Sequence, residues 1–349
     1  MLLLRSSLSS SFRAPSIIQI NEDIVARSST QNDALFIYFQ EEYDKSYQIF
    51  DDRYQMKRVA QGSKSLDAEE SSNYSYGFVF EPINNLILTY DIWSIEKNKT
   101  IGLIGRENQI LYDLILQLEN NGKNCSSFTG NVAVIRLEAD QDQINATPEG
   151  FCPVGEVSYI NDEYENFAKR IIRGSDLSIY FTRKFDFGDL TINYSGSFIE
   201  KFTQEKNHII LNRVDDALAN SESLNTLFSI EGFGDLLKND KFPDNKHSLR
   251  ASLKTKDFLY QLSGTRLGSF YQPWVRGQGG EIFKVEPFIK WDLGFSYFTN
   301  FANGNLRLKL SVKNIFDERA PLAVGTYHYE SDYHSDLGRN YYLEARLSY

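Results

Sequence analysis

Over the last eleven residues, Arg339 to Tyr349, hydrophobic and polar positions alternate. Tyr341, Leu343, Ala345, Leu347 and Tyr349 fall on one side of an extended chain; Tyr342, Glu344, Arg346 and Ser348 fall on the other. Side chains of a strand alternate with period 2, so the pattern predicts a strand with one apolar and one polar face. The strand runs to the end of the chain and finishes on an aromatic. Termini of soluble domains usually fray, whereas a transmembrane barrel closes on its terminal strand with an aromatic at the membrane interface. Tyr349 is expected to be that closing-strand aromatic.

The alternation recurs about ten times, over 3–13, 71–80, 85–97, 174–184, 189–201, 247–254, 257–268, 287–300, 306–316 and 339–349. The cleanest case sets Leu306, Leu308, Leu310 and Val312 against Arg307, Lys309, Ser311 and Lys313. Short connections, near Pro82–Asn85, Asp186–Asp189, Thr255–Lys256 and Phe301–Asn305, alternate with long ones over 14–70, 98–173, 202–246, 269–286 and 317–338. Asn303-Gly304 has the residues of a tight hairpin turn. Soluble β domains seldom carry so many long loops, whereas outer-membrane barrels pair short periplasmic turns with long extracellular loops. With Tyr349 at the periplasmic rim, every long connection falls outside and every short one inside. The fold expected is all-β: a partial antiparallel transmembrane β-barrel of about ten strands, with long extracellular loops. One loop carries a helical pattern, Ile110, Leu111, Leu114, Ile115 and Leu118 within 106–120, read as a small helix packing on the loop itself.

Composition refines this picture. The 349 residues include 21 Tyr and 25 Phe, enough for aromatic girdles. No apolar run approaches the ~18 residues of a spanning helix, which leaves a barrel untouched. A net charge of −10 lacks the basic surface that a nucleic-acid partner requires. The N-terminal MLLLRSSLSSSFRAPS has arginines and serines like a transit peptide, but reads better as a strand, with Leu4, Leu8 and Phe12 on one face; no targeting segment is expected here. Cys125 and Cys152 share one polar loop segment, an even pair that suggests a local disulfide and an oxidising compartment.

Four segments resemble the barrel of TonB-dependent outer-membrane receptors. SFRAPS (11–16) is similar to that family's strand-end element. Leu66, Glu69, Ser71, Gly77, Pro82, Asp91 and Trp93 match a characteristic hairpin. VKNIFDE (312–318) resembles a strand end near the C-terminus, and GRNYYLEARLSY (338–349) the closing strand. The resemblance implies a receptor that takes up a scarce nutrient such as a siderophore or carbohydrate, powered by the TonB system through a plug domain. Its surroundings would be outer-membrane lipid and the barrel-assembly machinery. Relatives carry about 22 strands, a plug and a TonB box. About ten strands and no plug are expected here, so the chain reads as the C-terminal part of such a barrel and not competent alone.

Candidate chemistry is sparse. No catalytic, metal-binding or phosphate-loop motif appears among the residues, and neither a cofactor nor an enzymatic activity is expected. Haem receptors resembling the family place a histidine after the first element; residues 16–61 hold none, and offer Tyr38, Tyr43, Tyr47 and Tyr54 instead. Asp140, Asp142 and Glu149 open like a calcium loop and then fail the pattern. The cluster Tyr327, His328, Tyr329, Tyr333 and His334 in the last long connection is the candidate ligand contact, since aromatics stack on sugars or siderophores and polar groups orient them. Two rivals remain: a self-contained small pore or adhesin, which needs 3–13 to pair with 339–349, and a soluble secreted carbohydrate-binding β protein, which needs the Leu306–Val312 face buried in a protein core.

Overall fold

A computed structural model describes residues 1–21, 25–46, 48–239, 241–276, 281–325 and 327–349. Ten long strands form one continuous antiparallel path: β1 (Leu2–Arg13), β2 (Glu69–Ile83), β3 (Leu86–Asn98), β4 (Arg170–Phe185), β5 (Gly188–Gln204), β6 (Asn245–Lys254), β7 (Phe258–Leu267), β8 (Phe288–Phe301), β9 (Gly304–Lys313) and β10 (Asn340–Ser348). Each pairs with its neighbours in chain order, and β1 and β10 stand at opposite ends without pairing to each other. The pairing required by a self-contained barrel is therefore not made.

Register carries one apolar face across the sheet. Tyr76 lies opposite Ile92, and Ile92 opposite Ser175. Further along, Ile192 faces Ala251, Ala251 faces Leu262, Leu262 faces Leu293, Leu293 faces Val312, and Val312 faces Tyr341. Because side chains alternate, one slip of register would send this whole set to the other face. The opposite face is polar and paired: Arg5 bonds Asp91, Arg13 lies 2.7 Å from Glu69, the Trp93 indole donates to Asp176 at 3.0 Å, and Lys313 lies 2.8 Å from Asp292. The apolar face stays exposed. Leu308 is 39% and Leu310 46% accessible, which counts against the reading that buries it in a soluble core.

Short and long connections alternate without exception. In the hairpin joining β8 to β9, Phe301 pairs with Gly304, so the two-residue turn is Ala302-Asn303, one residue earlier than expected. Both have positive φ, 47° and 63°, as a hairpin turn of the favoured twist demands. Gly304 instead begins β9, where a Cβ would meet the Ser348 carbonyl at 2.8 Å.

The main hydrophobic core lies in the long connections. Helices α1 (Ala34–Tyr43), α2 (Arg106–Asn120) and α3 (Ile209–Asn220) contribute their buried apolar residues to it, and Leu224 of the short helix Glu222–Leu227 joins them. The periodicity of 106–120 gives α2 its observed bounds, and the helix packs against the other loops as well as its own.

Candidate functional site

The connections 14–68, 99–169 and 205–244 fold into one large lobe. The first supplies Leu35, Phe36 and Phe39 from α1, with Phe50 and Met56. The second supplies Ile110, Leu111, Leu114 and Ile115 from α2, and the third Leu211, Val214 and Leu218 from α3. Each fully buried side chain of this kind contributes ~1.5–3 kcal/mol. A four-stranded sheet ties the first two connections together. Val25–Asn32 pairs with Arg53–Gln61, which runs parallel to Val157–Glu163, which pairs with Val134–Arg136.

Arg136 is the buried tie between these connections. Its guanidinium spans Asp33, at 2.7 and 2.9 Å, and its Nε–H donates to Asp113 at 2.8 Å. Tyr54 donates to Asp33 at 2.7 Å and accepts the Val157 N–H at 2.6 Å. Asp33 also accepts the Leu35 N–H, capping α1. Burial works against the charge of Arg136, but Asp33 and Asp113 outweigh it and hold the guanidinium above its ordinary value. Burial and then Asp33 raise the Tyr54 phenol, so it stays a donor. Nothing in the local sequence pattern marks Asp33 and Arg136 as partners, because they are 103 positions apart.

Beyond the C-terminal end of α2, Cys125 and Cys152 are disulfide-bonded, with Cα atoms 5.2 Å apart. The adjoining Phe151 ring lies 4.9 Å from Phe39, 6.1 Å from Tyr38 and 6.0 Å from Tyr43. Three of the four tyrosines weighed for haem thus have packing or hydrogen-bonding roles here; Tyr47 lies outside the described residues. Asp140 caps the short helix Gln141–Ala146, accepting the Gln143 N–H at 2.7 Å, and among the described residues no cluster of metal-ligating side chains forms. A cleft of ≈ 320 Å³ opens beside the start of α2, lined by Thr100 to Gly105, Arg170, Gln204, Glu231 and Phe233, among others.

The connections 268–287 and 314–339 make a smaller lobe around Phe270, Val285 and Ala323. Gln272 locks the two together, donating to the Val324 carbonyl at 2.9 Å and accepting its N–H at 2.8 Å. The Tyr327–His334 cluster divides here. Tyr327 is 64% exposed and its ring lies 6.0 Å from that of Tyr329. His328 sits in a turn at φ 61°, where its carbonyl accepts the Ala323 N–H at 2.9 Å. Tyr333 packs on Phe270 at 5.4 Å. His334 is 5% exposed, stacked on Phe270 at 5.9 Å and edge-on to Phe288 at 5.4 Å. Both of its ring nitrogens are buried and without a partner among the described residues. Burial lowers its pKa, with Glu330 opposing; Glu330 itself is held by Lys241 at 2.8 Å. Tyr349 follows β10 at the turn end of the sheet and is 92% exposed.

Residues 1–315 match the family described as TonB dependent receptor-like, beta-barrel. Among solved structures, the siderophore receptor PirA from Acinetobacter baumannii is similar over 100% of this chain and 39% of that one, with 14% identity and a TM-score of 0.55. A mutant of the ferric enterobactin receptor PfeA from Pseudomonas aeruginosa is similar over 98% and 37%, with 15% identity and a TM-score of 0.52. PfeA in complex with BCV-L6 is similar over 98% and 38%, with 16% identity and a TM-score of 0.51. The chain thus spans under two fifths of the length of these receptor chains. No curated protein matches the sequence.

Proposed function

The chain belongs to the TonB-dependent receptor β-barrel family, a family of outer-membrane transporters rather than enzymes, and on that premise we propose that it forms part of an importer for a scarce nutrient. The observation that carries the proposal is the ten-strand sheet with strictly alternating short and long connections, of which β1 to β9 lie within the family match. Outer-membrane lipid is the surrounding of the apolar face. Among nutrients we favour a siderophore, because the similar solved structures are described as siderophore and ferric enterobactin receptors. We assign first ligand contact to Tyr327 and Tyr329 at the surface of the small lobe, and a supporting role to Tyr333 and His334, which pack on Phe270.

Coupling to the TonB system is proposed to pass through a plug belonging to the rest of the barrel, outside these 349 residues. The sheet supports this division, since β1 and β10 present unpaired backbone groups that a membrane-spanning sheet has to satisfy. Cells carrying this chain as their only receptor are expected to accumulate no labelled ferric siderophore; accumulation by the chain alone would refute the proposal. The in-frame DNA upstream of Met1 is expected to encode a plug and further strands, and an immediate stop codon with neither nearby would remove the import assignment.

A further inference from the structure

The large lobe's sheet ends on the strand Val25–Asn32. This strand and its partner Arg53–Gln61 hold Arg27, Arg53, Lys57 and Arg58 and no acid. Arg27 and Arg58 lie directly opposite each other in register, so their side chains leave the sheet on one face. It is the face that carries Met56, Ile160 and Asp162 into the lobe interior. Like charges directly opposite destabilise a strand pair, and among the described residues neither guanidinium makes an ion pair with a carboxylate. The Arg58 Nε–H is buried and meets no acceptor, a state that native structures rarely leave unexplained. Asp162 attracts the Arg58 charge but does not supply that acceptor. Its Oδ2 takes the Gly105 N–H at 3.2 Å, and its Oδ1 has no partner.

Arg27 and Arg58 line a recess of ≈ 70 Å³ together with Ile18, Val25, Ala60 and Tyr164. A water molecule needs about 10–15 Å³ of such space, so the recess has room for a small oxyanion. Guanidinium forks match the planar or tetrahedral oxygens of carboxylate and phosphate. Ile18 and Val25, 65% and 45% exposed, give the recess an apolar lip. We propose that it binds the oxyanion head of an organic ligand, a carboxylate or a phosphate monoester, with the ligand's carbon body over Ile18 and Val25. The anion removes the repulsion between Arg27 and Arg58. The proposal does not depend on transport.

Calorimetric titration of the full chain folded in detergent micelles tests it, with phenyl phosphate and benzoate as probes and phenol as the uncharged control. Saturable binding of at least one anion is expected, weakened about tenfold by Arg27→Ala and by Arg58→Lys, which keeps the charge and loses the fork. Arg27 is exposed, so its replacement leaves the lobe core in place, and unchanged protease resistance checks this. The tighter of the two probes identifies the head group. No saturable binding by either anion, equal binding of phenol, or undiminished affinity in both variants would overturn the proposal.

Discussion

Arg136 draws carboxylates from two different connections onto one guanidinium, in a site where its side chain is 7% exposed and Asp33 fully buried. Removing one member of such a group leaves charge buried and uncompensated, which costs about 3–5 kcal/mol. Arg136→Met is therefore expected to loosen the large lobe by that order, seen as a fall in the urea midpoint of its protease resistance. His334 makes a prediction of a different kind. Burial lowers its pKa, so below the ordinary histidine value the unfolded chain takes a proton that the folded lobe resists. Stability of the small lobe is present above about pH 6.5 and declines as the pH falls below it. His334→Phe is expected to remove that decline, measured as exchange protection of residues 270–276 at about pH 5 and about pH 7.5. Neither residue announces this role in the sequence. His334 reads there as a ligand contact because a histidine among tyrosines in a long loop has the same composition whether it faces out or in.

Among elements, the ten long strands were the legible part, because a sheet with lipid expected on one side and a wet interior on the other imposes period 2 on each of them; the strands of the lobe sheet, such as Val25–Asn32 and Arg53–Gln61, fell within segments read as long loops. Helix α2 was legible by the same logic at period 3.6. Helix α1 was not: Ala34, Leu35, Phe36 and Phe39 are all buried, so its apolar residues form a run instead of a stripe and give no helical period. The disulfide lies between these cases, since the cysteines were visible as a pair while the packing of the adjoining Phe151 ring on α1 was not. Closing a span of 27 residues stabilises by about 2–4 kcal/mol. Reduction, or Cys125→Ser with Cys152→Ser, is expected to expose residues 121–156 to protease while β1 to β10 keep their strand circular dichroism.

For the whole molecule, the alternation of short and long connections was legible in the sequence, but the place of the core was not. Period 2 marks which face of a strand is apolar and is silent on whether lipid or protein covers it; here the strands present that face outward and the loops hold the packed interior. A charge on the lipid face tests this assignment. Leu310→Arg is expected to cost about 2–4 kcal/mol if it lies near the bilayer midplane and less toward the rims, read as slower insertion into lipid vesicles, whereas Arg307→Leu on the polar face should insert normally.

The large lobe has its own core, its own sheet, a buried ion cluster and a covalent clasp, all beyond the ends of the spanning strands. One chain is thus matched to two solvents, and its halves answer to different reagents. Exchange of detergent or lipid should act on the strands and leave the lobe standing. Mild denaturant with a thiol reductant should melt the lobe and leave the strands standing. Heating in detergent should accordingly give two separate transitions, and only the one belonging to the lobe should move when the disulfide is cut.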